Sequence, residues 1–214
     1  ATVTSLDTSA AVNLNLVTDS SSSTSGALIV DGGVGVAKKL YVGTNLDVTG
    51  DATFNGDTNT FTSANANDPV LIIKNTTNDT SGSTLRFEKD RTSGTGGSSG
   101  DDIGTIEFKA GDSGETQEVF ATILGEAAVA TSGQEGGRLT FSVAANDGEL
   151  NSGLIIADGD AEDEIDVTIG NVATSLTTVA GNLTVSATTA STSSTTGSLI
   201  VGGGVGIADD LYVG

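Results

Sequence analysis

The feature that most constrains this chain is that it repeats itself. The segment Gly26-Ala-Leu-Ile-Val-Asp-Gly-Gly-Val-Gly-Val-Ala-Lys-Lys-Leu-Tyr-Val-Gly43 returns as Gly197-Ser-Leu-Ile-Val-Gly-Gly-Gly-Val-Gly-Ile-Ala-Asp-Asp-Leu-Tyr-Val-Gly214, with 13 of 18 positions identical at an offset of 171. The hydroxyl-rich runs before it, Ser20–Ser25 and Ser191–Thr196, match in character, and Thr4-Ser5-Leu6 echoes Thr174-Ser175-Leu176 at an offset of 170. One period of about 171 residues plus an overlap is the signature of a repetitive architecture. A tandem array cut within a period, or two ends that complete each other between subunits, both account for it.

A shorter period lies inside the first copy. Leu40, Leu46 and Ala52 are six residues apart, and so are Val42, Val48 and Phe54. Each hexad reads as a short strand with two side chains on one face, closed by a Gly/Asn/Asp corner. Hexapeptide periods belong to β-helices. Three or four hexads are too few for a single-chain coil, whereas three chains can each supply one side of a shared prism. The expected fold is therefore all-β and fibrous: a homotrimeric, intertwined β-helix or β-prism shaft with an inserted β-rich module. Leu40, Val42, Leu46, Val48 and Phe54 are the expected lining of its trimer axis.

Composition agrees with that expectation. The chain has 30 Gly, one Pro, six Phe and two Tyr, and no His, Cys, Met or Trp. Without His or Cys there is no imidazole base, thiolate nucleophile, zinc cluster or disulfide. So few large apolar side chains make a thin monomeric core, since each fully buried one contributes only about 1.5–3 kcal/mol. Association with further copies is the obvious second source of burial. The net charge of −20 repels nucleic-acid phosphates and anionic membranes. No apolar run approaches the roughly 20 residues of a membrane span.

Along the chain, residues 1–61 are expected to be a repeat-containing β shaft segment, with hexads over 40–61. Residues 62–69 form a linker, 70–157 a β-rich module, and 158–214 a second, truncated copy of the N-terminal repeat segment. Strands are predicted at Val70–Lys74, Thr84–Lys89, Gly104–Lys109, Val119–Leu124, Arg138–Val143 and Gly153–Ala157. The Gly/Ser/Thr stretch Thr92–Gly100 between the second and third is expected to be mobile.

The pattern Ser-Thr-Ser-Gly-Ala-Leu-Ile-Val-x-Gly-Gly-Val-Gly-Val-Ala-x-x-Leu-Tyr-Val-Gly at 23–43, followed by Leu46-Asp-Val-Thr-Gly50, resembles the fibre and appendage proteins of tailed bacteriophages, particularly those of marine bacteria. A looser likeness runs from Asp68-Pro-Val-Leu-Ile-Ile-Lys-Asn75 through Leu85–Asp90, Asp102–Phe108 and Phe120–Gly125 to Gly136-Gly-Arg-Leu-Thr-Phe141. The resemblance implies a homotrimeric structural protein of a virion, extracellular and non-catalytic, contributing to host attachment. Its implied partners are its own copies, other fibre or baseplate proteins and host surface glycans, with no nucleic acid and no membrane insertion. A bacterial extracellular filament or adhesin subunit, assembling through its matching end segments, is the alternative.

Few residues suggest chemistry. No cofactor is expected. The acidic run at 158–166 supplies a calcium candidate in Asp158, Asp160, Glu162 and Asp163, because calcium prefers carboxylate and carbonyl oxygens. The run lacks the central Gly and terminal Glu of an EF-hand loop, so a solvated acidic turn is the more economical expectation. Paired carboxylates can hydrolyse glycosides, but 28 acidic residues make chance pairs plentiful and Trp is absent. Gly32-Gly33-Val-Gly35 lacks the helix and Lys of a phosphate loop and is expected to make tight turns at positive φ. Arg86, Arg91 and Arg138 are expected to serve nearby Asp and Glu.

Overall fold

The computed structural model describes residues 12, 14, 19–92 and 95–212. The Thr4-Ser5-Leu6 echo lies outside the described residues. The chain divides into two units, Ala1–Leu71 and Ile72–Gly214. Among the described residues the protein is all-β, without helix.

Among the described residues, all regular structure lies in the second unit. Five strands, β1 (Asp101–Gly111), β2 (Gln117–Val129), β3 (Gly136–Ala144), β4 (Leu150–Asp158) and β5 (Ile165–Ile169), form one antiparallel sheet in the order β1-β2-β3-β4-β5. Four predicted strands, at 104–109, 119–124, 138–143 and 153–157, lie within β1 to β4. Residues 70–74 and 84–89 form no strand, and β5 arises where the acidic run was expected to be all turn.

Local chemistry explains three of the four reversals. Between β1 and β2, Asp112 Oδ1 accepts from the N–H groups of Gly114 and Thr116, an Asx-type closure, and the Asp112 N–H donates to the Thr116 carbonyl. Glu115 sits at φ 64° there. Between β3 and β4 the Ala145 N–H donates to the Glu149 carbonyl, and Gly148 holds the same left-handed position at φ 88°. Between β4 and β5 the Glu164 carboxylate turns back to accept from the N–H groups of Asp160 and Ala161, both at 3.1 Å.

Register fixes two faces. One row across the sheet runs Gly104, Gly125, Leu139, Ile156, Val167, and the next runs Ile106, Ile123, Phe141, Leu154, Ile169. Both rows lie on one face, because side chains alternate along each strand. The opposite face carries Thr105, Leu124, Thr140, Ile155 and Thr168, with Glu126, Arg138, Ala157 and Asp166 one row away. Register slips at Ile103 on β1 and Phe120 on β2 end this regular block.

Phe87 lies on the apolar face. A Cβ placed on Gly104 would fall 2.5 Å from Phe87 Cβ and 2.6 Å from its Cγ. Segment 84–89 thus meets the sheet through a side chain and makes no backbone ladder with it. The expected mobile stretch is tied down at its far end, where the Gly100 N–H donates to the Ala127 carbonyl and the Ala130 N–H to Ser99 Oγ.

Outside the sheet one turn recurs. Ser25 Oγ accepts from the N–H groups of Ser21 and Ser22, and Thr196 Oγ1 accepts from those of Thr192 and Ser193. The following glycines, Gly26 and Gly197, stand at φ 112° and 117°, each with its would-be Cβ 3.1 Å from the Cβ of Ser20 or Ser191. These glycines carry the left-handed requirement. The expectation of positive φ at Gly32, Gly33 and Gly35 is corrected: none of them adopts it, and a Cβ there would meet open space. The turn is closed upstream by hydroxyl side chains, and the Gly-rich stretch keeps ordinary negative or extended φ.

Candidate functional site

No large apolar side chain among the described residues is buried. The expected axis-lining residues Leu40, Val42, Leu46, Val48 and Phe54 are 66%, 42%, 66%, 48% and 68% exposed in the single chain. None belongs to a strand, since the first unit offers them no ladder partner among its described residues. The sheet is in the same condition. Its apolar face leaves Phe108 54%, Val143 58%, Val167 56% and Ile169 61% exposed. A contiguous apolar patch larger than a few hundred Å² on a folded chain marks an interaction surface.

The calcium candidates do not gather. Asp158 ends β4 with its carboxylate against Gly136 on β3, and Asp160, Glu162 and Asp163 occupy the β4–β5 loop. Glu164, which the sequence did not single out, organises that loop. Among the described residues no group of three or more Asp or Glu side chains is placed to hold a metal ion. An open cleft between this loop and the one joining β2 to β3 is lined by Glu135 and Asp158–Glu164. Glu135 is held below its usual carboxylate range by the N–H of Gly133 and by its own N–H.

The three arginines each meet a carboxylate. Arg138 pairs with Glu126, its direct cross-strand neighbour, at 2.5 Å and 2.7 Å. Arg86 lies 3.9 Å from Glu88. Arg91 donates to both oxygens of Asp101 at 2.8 Å and 2.5 Å, and the Ser98 N–H adds a further bond. Arg91, and after it the Ser98 N–H, hold the Asp101 carboxyl well below its ordinary value of 3.8. Asp101 in return raises the Arg91 guanidinium. This pair fastens the stretch that carries Phe87 to the start of β1.

No protein-family model matches the chain, and no curated protein matches it significantly. No helix among the described residues is long and apolar enough to cross a membrane. What the arrangement offers chemically is surface: two uncharged, largely apolar rows on one face, with Glu126, Arg138 and Asp166 on the other.

Proposed function

We propose that this chain is a structural segment of a homotrimeric, β-structured fibre of a virion, a tail fibre or appendage shaft that contributes to host attachment without catalysis. One observation carries the reading. Among the described residues no large apolar side chain is buried in the single chain, in the hexads or in the sheet. A chain that buries so little alone is completed by other chains. The 171-residue repeat and the phage-fibre likeness at 23–43 set the kind of assembly: three parallel copies in register, with Leu40, Val42, Leu46, Val48 and Phe54 toward the axis. Its partners are its own copies, adjoining fibre or baseplate proteins, and glycans of the host surface. It works extracellularly, through length and resistance to unfolding.

A second reading draws on the recurrent turn. Ser20–Gly26 and Ser191–Gly197 share one geometry, as matching ends of a bacterial extracellular filament subunit would.

Light scattering of the native protein, with and without EDTA, tests both. A particle of three times 21.1 kDa supports the fibre. Open-ended polymers favour the filament, and a monomer refutes both. Loss of mass in EDTA would promote the loop at Asp158–Asp163 to a calcium site.

A further inference from the structure

Resting on the trimeric reading, we propose that the apolar face of the β1–β5 sheet is an interface between copies of this chain, and that three such faces close into a three-sided prism with β3 nearest the axis.

The middle of the face is neutral, with Asp158 one row beyond it beside Ile165. Its two complete rows, from Gly104 to Val167 and from Ile106 to Ile169, contain no charged residue. The opposite face carries Glu126, Arg138 and Asp166. Copies that each bear a net charge of −20 repel one another and can meet closely only through a surface free of that charge. The sheet provides one such surface. A cationic partner would instead be drawn to the acidic loops.

Its size suits one part of a larger interface. Five strands span four spacings, roughly 19 Å, and six residues along a strand add roughly 20 Å. Three such patches, each about 380 Å² in projection, turned together cover on the order of 1,100 Å², less per pair of copies than a standard interface, so the rest of the burial falls to the hexad residues.

The strand number fits three copies. A triangular prism with sides of about 19 Å has its walls about 5.5 Å from the axis, close to half the roughly 10 Å between packed sheets. Side chains of ordinary length therefore fill it without a channel. Leu139 and Phe141, on the central strand, reach the middle. Each β1 edge meets the β5 edge of the next copy, a head-to-tail contact that closes after three. The Gly104–Gly125 pair hollows the face at its β1 side, and Phe87 fills part of that hollow.

The chain has no cysteine, so single introduced thiols report without interference. Leu139→Cys and Thr140→Cys are neighbours on the central strand that face opposite ways. Each variant is treated with a short bifunctional thiol crosslinker, and its native mass is measured separately. The expected result is a trimer for both, with a covalent dimer forming in Leu139→Cys, up to two-thirds of the chains, and none in Thr140→Cys. A trimer in which Leu139→Cys stays uncrosslinked, or Thr140→Cys crosslinks instead, overturns the interface and leaves the trimeric fibre standing. Crosslinking of Leu139→Cys in a two-chain particle overturns the prism and the trimer together. A monomer does the same.

Discussion

Replacing Gly104 with alanine tests whether Phe87 is seated on the sheet as described. The added methyl would fall 2.5 Å, 2.6 Å and 2.8 Å from Cβ, Cγ and Cδ1 of Phe87. Cβ is fixed to the backbone, so a rotamer change cannot clear it and the segment carrying Phe87 must lift. Phe87 is 47% exposed, and burying a Phe completely contributes about 1.5–3 kcal/mol, so the seat is worth roughly 1–1.5 kcal/mol. Opposing this, Ala in a strand is favoured over Gly by about 0.5–1 kcal/mol. Gly104→Ala in the wild-type background is therefore expected to destabilise by up to about 1 kcal/mol. In a Phe87→Ala background the obstacle is gone, and the same substitution should stabilise by about 0.5–1 kcal/mol. Urea unfolding of all four proteins at one fixed concentration gives the coupling, expected near 1–1.5 kcal/mol and above the roughly 0.5 kcal/mol scatter of independent sites. An identical effect of Gly104→Ala in both backgrounds would refute the seating of Phe87.

Four further outcomes are expected. The Glu126–Arg138 cross-strand pair should show a double-mutant coupling of about 0.2–1 kcal/mol that shrinks at high salt, measured by denaturant unfolding. Asp101 has a folded pKa below its unfolded one, so its contribution is complete above the unfolded value and is lost as pH falls through the folded one. Asp101→Asn should therefore weaken the protein near neutrality yet flatten its loss of stability below about pH 4, followed by fluorescence of a reporter dye during acid titration. Glu115→Gly should stabilise by about 0.5 kcal/mol, because a left-handed non-Gly residue costs about 1–2 kcal/mol and added chain freedom offsets part of the gain; a lower urea midpoint would count against the turn geometry. Gly197→Ala, strained at φ 117° and crowded by Ser191, should open the turn and speed amide exchange at Thr192 and Ser193.

Much of the sheet was legible as alternation. Arg138–Val143 carries apolar residues at every second position, Gly153–Ala157 is continuously apolar, and the structure pairs them as β3 and β4. Ile165-Asp-Val-Thr-Ile169 alternates equally well, but the acidic residues before it suggested a loop and hid β5. Val70–Lys74 and Thr84–Lys89 show the converse. Their composition suits strands, yet a strand exists only where a neighbour offers a ladder, and that is a tertiary fact. The slips at Ile103 and Phe120 leave no local mark, since bulges depend on what lies opposite. The repeat was visible at once, whereas its conformational pivot was not. The eye goes to the Gly32–Gly35 cluster, while the backbone turns at Gly26, where Ser25 satisfies two upstream amides. For the assembly surface, sequence supplied the apolar residues of both the hexads and the module. Only the register showed that most of the module's share one face, whose two complete rows are uncharged.

The order of the sheet bears on how such a particle is made. Each strand pairs with the next in sequence, across loops of five or six residues. Every ladder closes locally, so contact order is low, and hairpins of this kind form in roughly microseconds. A newly made chain can thus acquire its sheet unaided, and in the proposed trimer it would hold an oily surface in water until it meets its fellows. In the proposed trimer, maturation would be paced by encounter, not by the folding of one chain, and its yield would depend on how many copies are present at once. Dilute synthesis favours stray aggregation; abundant synthesis, of the sort that accompanies particle assembly, favours closure.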